Sequence, residues 1–210
     1  MPPKPSVRGE FIETETGNKI SRRASILGPK HIILAGKCVI QNDVVIHGDL
    51  VRPATSASSH NRTASTATSD SKSADATSTS SAPQNQTSIH LGRHVYLSPG
   101  VVLHPPSRLQ TPTATSTNPT PQPITTYLPL TIASHVFIGA SSVIRALEIK
   151  SHVWIGANVT VGNMCIIKEN VKVLDGSVLP QGSVWASGNV VGGRPARVVG
   201  VVGEGWGWGK

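Results

Sequence analysis

The sequence has few of the residues from which an ordinary globular core is built. Aromatic residues make up only 4% of its 210 residues, and charged residues make up 14%. Glycine and proline, with 20 and 16 copies, are plentiful by comparison. A chain of this length fits one domain. This composition favours a solenoid over a globular α/β core.

Cysteine is scarce too, which excludes a disulfide framework. Cys38 and Cys165 both fall at a small position of a six-residue repeat, so we interpret them as reduced packing residues rather than metal or redox ligands. Residues 1–6 contain no apolar segment typical of a signal peptide, and no stretch has the apolar length of a transmembrane helix. Together these features predict a reducing, cytosolic environment.

The charge balance is basic. A net charge of +8 arises from 19 Lys and Arg against 11 Asp and Glu, which is compatible with an acidic partner. The basic residues form neither a continuous run nor an arginine cluster interleaved with aromatics. The sequence therefore does not predict nucleic-acid binding.

What the sequence does contain is a six-residue repeat. From Ile149 to Val190 it runs for seven sixes without a slip, with Val, Cys, Ser or Asn at each fifth position. The first positions are Ile149, Ile155, Val161, Ile167, Val173, Leu179 and Trp185. This pattern is the hexapeptide signature of a parallel β-helix. Each six supplies a short strand and a corner, and three sixes close a triangular coil of about 18 residues.

The repeat therefore predicts an all-β fold, a left-handed parallel β-helix shaped as a triangular prism, with two low-complexity loop insertions at one corner. The aliphatic first position points into the prism, and so does the fifth, where only a small or β-branched side chain fits. Glycine and asparagine fall near the corners, where a positive φ is often needed. Successive coils are expected to stack about 4.8 Å apart.

We divide the chain into seven segments on this pattern. The insertion over 52–88 is rich in Ser, Thr and Ala and has no aromatic or large aliphatic residue, so it is predicted to be disordered. The other segments are an N-terminal cap with a strand and a turn over 1–19, β-helix coils over 20–51, 89–104 and 128–199, an extended or mobile Pro/Thr-rich loop over 105–127, and a Gly/Trp tail over 200–210.

Counting the first positions by threes assigns each one to a face of the prism. Both insertions, and a one-residue deletion near Leu147, follow the third six of a coil, so all three are expected at the same corner. In the same count Leu91, Ile132 and Ile149 stack on one face. The residues that follow them should then form two columns, His94, His135 and His152 at a corner and Tyr96, Phe137 and Trp154 pointing outward.

These six residues are our candidates for partner binding, because a contiguous exposed apolar patch usually binds something. The alternative is that the outward aromatics only stabilise adjacent strands by cross-strand stacking. No catalytic, cofactor-binding or metal-binding residue is predicted.

Two classes of enzyme with this fold are alternatives. Ile46–Asp49 resembles part of the gamma-class carbonic anhydrases, which bind zinc through three histidines, two of them in a His-x-x-x-x-His spacing that this sequence lacks. His152–Thr160 and Gly193–Val198 resemble the hexapeptide acyltransferases, in which a histidine is the general base and the last coils bind acyl-CoA. His152 is the candidate base there, but it falls at a solvent corner with no carboxylate placed to orient it.

The most specific likeness lies outside the bare repeat. Phe11–Arg22 resembles the N-terminal signature of the dynactin subunit 5 family, a pointed-end subunit of dynactin. The likeness continues through Ile32–Lys37, Asn42–Asp43, Ile46–Leu50, Leu91–His94, Leu103–Pro106, Leu128–Leu130 and His135–Ile138. The Ser/Thr insertion has no counterpart in the family pattern, and Gly203–Lys210 does not resemble the helical tail of the family.

This resemblance implies a non-enzymatic scaffold without a cofactor. Members of the family pack against dynactin subunit 6, a second left-handed β-helix. With dynactin subunit 4 and the pointed-end actin-related protein they close the dynactin filament and help dynein engage its cargo adaptors. The resemblance thus implies microtubule-based transport, in the cytoplasm and on the cytoskeleton. Burial along one face, with a few aromatic anchors, is the expected source of affinity.

Overall fold

A computed structural model describes residues 9–51, 87–110 and 123–203, which form mostly short strands. In chain order, β1 to β12 are Phe11–Glu13, Lys19–Ser21, Ser25–Leu27, Ile32–Gly36, Val39–Ile40, Val45–His47, Ile89–Arg93, Tyr96–Leu97, Val102–Leu103, Ser107–Gln110, Ile124–Tyr127 and Leu130–Ile132. Strands β13 to β23 are Phe137–Ile138, Val143–Ile144, Glu148–Ile149, Trp154–Ile155, Thr160–Val161, Ile166–Ile167, Lys172–Val173, Val178–Leu179, Val184–Trp185, Asn189–Gly193 and Ala196–Val201. Among these residues a 3-10 turn at Pro29–His31 is the only helical element.

Most of the strands belong to three sheets, which are the three faces of a prism. Face A contains β2, β5, β8, β13, β16, β19 and β22 in parallel, and the antiparallel strands β1 and β23 close its two ends. Face B contains β3, β6, β9, β14, β17 and β20, and face C contains β4, β7, β12, β15, β18 and β21. Each coil runs from face C to face A to face B. The prediction of an all-β, left-handed parallel β-helix is confirmed.

The register counted from the sequence is also confirmed. Along face C, Ile132 pairs with Leu91 on one side and with Ile149 on the other. Face A and face B follow the same count, since Ile138 pairs with Leu97 and Ile144 with Leu103. These first-position side chains are fully buried, and burial of one aliphatic side chain of this kind contributes about 1.5–3 kcal/mol. The core is therefore a continuous aliphatic column along the prism axis.

The serines at fifth positions, Ser142, Ser177 and Ser183, have hydrogen-bonded hydroxyls. The Ser142 hydroxyl is fully buried, donates to the Gly156 carbonyl at 3.0 Å and accepts the Val159 amide at 3.1 Å. Cys38 and Cys165 are free and buried, and their thiols donate to backbone carbonyls of the next coil. Both cysteines thus occupy packing positions of the core.

The two insertions and the deletion all lie at the corner between face B and face C. The first insertion separates β6 from β7, the second separates β9 from β12, and the deletion lies between β14 and β15. The chain re-enters the coil at Ser88, whose hydroxyl donates to the Leu50 carbonyl at 2.8 Å. The disorder predicted over 52–88 concerns residues that lie outside the described ranges, apart from Thr87 and Ser88. Residues 1–8 of the cap, 111–122 of the loop and 204–210 of the tail also lie outside them.

The segment over 105–127 differs from the loop expected there. Ser107–Gln110 and Ile124–Tyr127 pair as an antiparallel hairpin, with Ser107 opposite Tyr127. Asn163 lies at the same corner, two coils further along the chain. Its side chain accepts a hydrogen bond from the Ser107 amide at 2.9 Å and donates one to the Ser107 carbonyl at 2.6 Å. Composition alone did not indicate this pairing, because Pro and Thr dominate the segment and hide its β-branched strand Ile-Thr-Thr-Tyr. The base of the hairpin is therefore fixed to the prism.

Candidate partner-binding face

The corner between face C and face A, which we call the histidine corner, is made of residues with a left-handed backbone. Lys37, His94, His135, His152 and Asn170 occupy equivalent positions of five coils, with φ between 53° and 60°. Glycine avoids the steric penalty of this conformation, and Asn, Asp and His adopt it more readily than other residues. The turn geometry thus repeats from coil to coil and holds the three histidines in line.

The three imidazoles form a stack, the histidine column. The ring centroids of His94 and His135 lie 4.9 Å apart at an interplanar angle of 15°, and those of His135 and His152 lie 5.0 Å apart at 1°. This separation matches the distance of about 4.8 Å between paired strands. Burial, and then the charges of His152 and His94, lowers the pKa of His135. The middle ring of the column therefore favours its neutral form.

The aromatic column, formed by Tyr96, Phe137 and Trp154, lies next to it on the outer surface of face A. The rings of Tyr96 and Phe137 are stacked at 5.4 Å and 12°, and those of Phe137 and Trp154 at 4.0 Å and 18°. All three side chains are half-buried. The Tyr96 hydroxyl accepts a hydrogen bond from the Gln41 amide at 2.9 Å. The column therefore presents a flat aromatic strip that spans three coils.

The structure brings all six candidate residues to the positions expected from the register. The cross-strand stacking that was the alternative to binding is present, because each ring contacts the ring of the next coil. Stacking and binding do not exclude each other, since stacked rings still present their edges and outer surface. The role of the six residues in binding a partner stays a prediction.

A second cluster of rings, at the corner between face B and face C, was missed by the sequence reasoning. The ring of His104 lies 5.4 Å from that of His47 and 6.1 Å from that of Tyr127. His47 and His104 directly follow Ile46 and Leu103, which pair across one coil, so the register contained the signal for the two histidines. Tyr127 reaches them only because the hairpin returns to this corner.

His104 is half-buried, and its pKa is lowered. Burial is the main cause of its lowered pKa, and the positive charges of Arg145 and His47 lower it further. The Pro105 carbonyl, 2.8 Å from Nδ1, and the Asp49 carboxylate act in the opposite direction. The neighbours of His104 thus shift its pKa in opposite directions, and the net effect, dominated by burial, is a lowered pKa.

The chemistry available to these histidines is limited by their neighbours. Over residues 9–51, 87–110 and 123–203, no three His, Cys, Asp or Glu side chains are grouped so that they could hold a metal ion. Within the same ranges, the exposed ring of His152 stacks on His135, and no carboxylate forms a hydrogen bond with it. No helix in these ranges is long and apolar enough to span a membrane.

Several solved structures have a similar coil. A hexapeptide-repeat acetyltransferase from Vibrio cholerae O1 biovar eltor, complexed with acetyl coenzyme A, is 23% identical over 57% of this chain and 63% of that one, with a TM-score of 0.40. PerB from Caulobacter crescentus, in complex with CoA and GDP-perosamine, is 12% identical over 87% of this chain and 57% of that one, with a TM-score of 0.45. A hexapeptide transferase family protein from Anaplasma phagocytophilum is 18% identical over 89% of this chain and 80% of that one, with a TM-score of 0.44. The chain thus spans less than two thirds of the first two proteins.

The three parallel faces and the six-residue repeat, which runs without interruption over 149–190, place the chain in the class of hexapeptide-repeat β-helix proteins. Within that class, the sequence model of the Dynactin subunit 5 family matches residues 85–206, more than half of the chain. The chain belongs to the dynactin subunit 5 family. The match includes both the histidine column and the aromatic column, and it begins within the last residues of the first insertion, so residues 9–51 lie outside it.

Proposed function

We propose that the chain is a non-enzymatic scaffold subunit of the dynactin pointed-end complex. Its family membership over residues 85–206 is the observation that carries this proposal. The proposed partners are dynactin subunit 6, dynactin subunit 4 and the pointed-end actin-related protein. With them the chain supports the binding of dynein cargo adaptors and microtubule-based transport, in the cytoplasm and on the cytoskeleton.

The β-helix suits a scaffold because its faces are set by a continuous buried core rather than by mobile loops. Among the three faces, face A is the best candidate for a partner. Its outward residues at the level of the column are Tyr96, Phe137 and Trp154, whereas face B has Val102, Val143 and Thr160 and face C has His90, Thr131 and Glu148. Trp and Tyr are enriched among the residues that dominate binding energy at protein interfaces, so we assign them as anchors.

The test is affinity purification of the tagged full chain from its own cells, followed by mass spectrometry. Wild type is expected to recover the dynactin pointed-end subunits in stoichiometric amounts. The triple variant Tyr96→Ala/Phe137→Ala/Trp154→Ala should lose at least one of these partners, because an anchor contributes about 2 kcal/mol or more, roughly thirtyfold in Kd. The matched control, Val102→Ala/Val143→Ala/Thr160→Ala, changes the same three coils on face B and should keep all partners.

Circular dichroism of both triple variants checks that the coil is retained. A folded aromatic variant that still recovers every partner would remove the aromatic column from the proposal but leave the scaffold role. A clean homotrimer of the wild type without dynactin subunits would overturn the scaffold role itself. It would favour a hexapeptide acyltransferase, tested next by acyl-CoA binding, and after that a zinc enzyme.

A further inference from the structure

A cleft lies at the His94 end of the histidine column, where the N-terminal cap meets the first coils. Its volume is about 340 Å³, which is within the range of small ligand sites and accommodates one or two side chains. The lining residues are Thr16, Ala35, Gly36, Lys37, Arg93 and His94. They come from three parts of the chain, namely the cap turn and two consecutive coils, so the cleft exists only in the folded protein.

The wall between cap and coil is fixed by backbone contacts. The Lys37 amide donates to the Thr16 carbonyl at 3.1 Å. Gly36 has φ 137°, and a Cβ at this position would lie 3.0 Å from the same carbonyl oxygen, so the close approach of cap and coil requires glycine. The buried Asn18 side chain accepts the Cys38 amide at 2.9 Å and ties the end of the cap turn to the same coil. The cleft is therefore a built feature of the fold.

Two cationic side chains, those of Lys37 and Arg93, line this cleft. Some basic side chains of the prism form ion pairs, as between Lys19 and Glu13 at 3.2 Å and between Lys150 and Glu148 at 2.6 Å. Lys37 and Arg93 are exposed, and neither forms an ion pair with any carboxylate of the described ranges. Charges of one sign that line a concave surface raise the local potential for an opposite charge.

We propose that this cleft binds a carboxylate side chain of an acidic peptide segment on a protein partner. A planar guanidinium matches a carboxylate with two parallel hydrogen bonds, and a nearby ammonium adds a point charge. Two permanent cations are few for nucleic acid, whose binding draws on many phosphate contacts. They are also few for an anionic membrane, which is bound by clusters of about 4–8 Lys and Arg. The side chain of a single Glu or Asp is small enough for the cleft, and its carboxylate can bind the guanidinium while the ammonium supplies a second positive charge.

This inference goes beyond the scaffold role and stands without it, because it is measured on the purified full chain with a synthetic peptide. The probe is a fluorescein-labelled hexaglutamate peptide, with hexaglutamine of the same length as its neutral counterpart, in fluorescence anisotropy at low ionic strength. Wild type is expected to bind hexaglutamate and not hexaglutamine. The double variant Lys37→Asn/Arg93→Gln is expected to weaken binding about tenfold or more, since both charge-assisted contacts are lost. Asparagine is chosen at position 37 because it tolerates the local φ of 53°.

The control is a double variant that removes the same amount of charge away from the cleft. Lys168 and Arg197 are exposed and lie outside it, so Lys168→Gln/Arg197→Gln should change affinity by less than about twofold, the effect of net charge alone. Equal loss in both double variants would overturn the proposal, because the peptide would then be held by overall charge. No binding by wild type would overturn it as well.

Two further measurements identify which kind of anion binds and where on the protein it binds. Inorganic phosphate or free glutamate, supplied at the same concentration of anionic groups, should displace the labelled peptide poorly if a peptide segment is the ligand. Equally effective displacement would reassign the cleft to a free anion and overturn the peptide proposal. Amide shifts on addition of hexaglutamate, followed by NMR, should be largest at Thr16, Gly36 and Arg93. Shifts confined to other parts of the prism would contradict the site.

Discussion

The histidine corner and the corner between face B and face C follow the same repeat but contain different kinds of sequence. The histidine corner has an unbroken series of sixes, and its side chains touch from coil to coil, with rings 4.9 Å and 5.0 Å apart. The other corner, which we call the insertion corner, has both insertions and the deletion. The core does not account for the difference, since inward residues beside both corners are fully buried.

The difference lies in what each corner connects. At the insertion corner the chain leaves the coil and returns in register, because Val45 still pairs with Val102 and Leu34 with Leu91 across the first insertion. Lengthening such a connection is inexpensive, about 0.6 kcal/mol for each doubling of a flexible loop. At the histidine corner the turn itself sets the alignment of the stacked rings. In this protein the extra residues thus occur at the corner that does not align a column of parallel stacked rings.

The largest expected effect comes from inserting one glycine between His135 and Val136. A one-residue slip turns inward residues outward, so the fully buried Val136 and the neighbouring Ile138 would have to be exposed or the coil rebuilt. We expect the free energy of unfolding to fall by about 3 kcal/mol or more, from the burial of two aliphatic side chains. Urea denaturation of the full chain measures it.

The companion variant places the same glycine between Val51 and Arg52, at the insertion corner. It lengthens an existing connection, so the free energy of unfolding should change by less than about 0.6 kcal/mol. Similar losses in the two insertion variants would show that the corners do not differ in tolerance.

A smaller effect is expected from single glycine substitutions at the two corners. At the histidine corner, a Cβ on Gly92 would lie 2.6 Å from the Ala133 carbonyl carbon of the next coil. Because backbone cannot move aside as a flexible side chain can, Gly92→Ala should destabilise the protein by about 1–3 kcal/mol. At the insertion corner, Gly182 has nothing within 4 Å of the same atom and a φ of 69°. There Gly182→Asn should change the free energy of unfolding by no more than about 0.5 kcal/mol in the same urea assay. A larger loss for Gly182→Asn than for Gly92→Ala would reverse the comparison.

The features that sequence reasoning found are those that follow from counting. First-position aliphatics such as Leu91, Ile132 and Ile149 assign each six to a face, and parallel stacking in register then brings equivalent positions together. Both columns and the shared corner of the insertions follow from this count alone.

The features that were missed depend on the path of the chain outside the coil. The hairpin is fixed by contacts between Ser107 and Asn163, which are 56 residues apart. The cleft depends on the approach of the Thr16 carbonyl to Lys37, which no repeat position encodes. Local composition carries no record of such contacts, since they arise only once the folded prism offers a surface to pack against.

The smallest expected effect concerns pH, and each corner contains one histidine with a lowered pKa, His135 and His104. Between a folded-state pKa below 6.5 and the ordinary value of 6.5, the unfolded chain binds more protons than the folded protein. Stability therefore falls as the pH drops through 6.5 toward the folded-state pKa, and these two groups contribute no such loss above 6.5. We expect Tm to be lower at about pH 5 than at about pH 7.5, and His135→Asn and His104→Gln each to reduce that difference.

The two corners differ in which neighbouring charges add to the effect of burial on the pKa. In the histidine column the charge of His152 is the second cause of the lowered pKa of His135, after burial, whereas at the insertion corner Arg145 and His47 act on His104. His152→Asn should therefore raise the pKa of His135 and leave that of His104 unchanged, and His47→Gln should raise only that of His104. NMR titration of the imidazole C–H signals measures both values in each variant. If His152→Asn left the pKa of His135 unchanged, the charge of His152 would not contribute to it, and burial together with the charge of His94 would account for the lowered value.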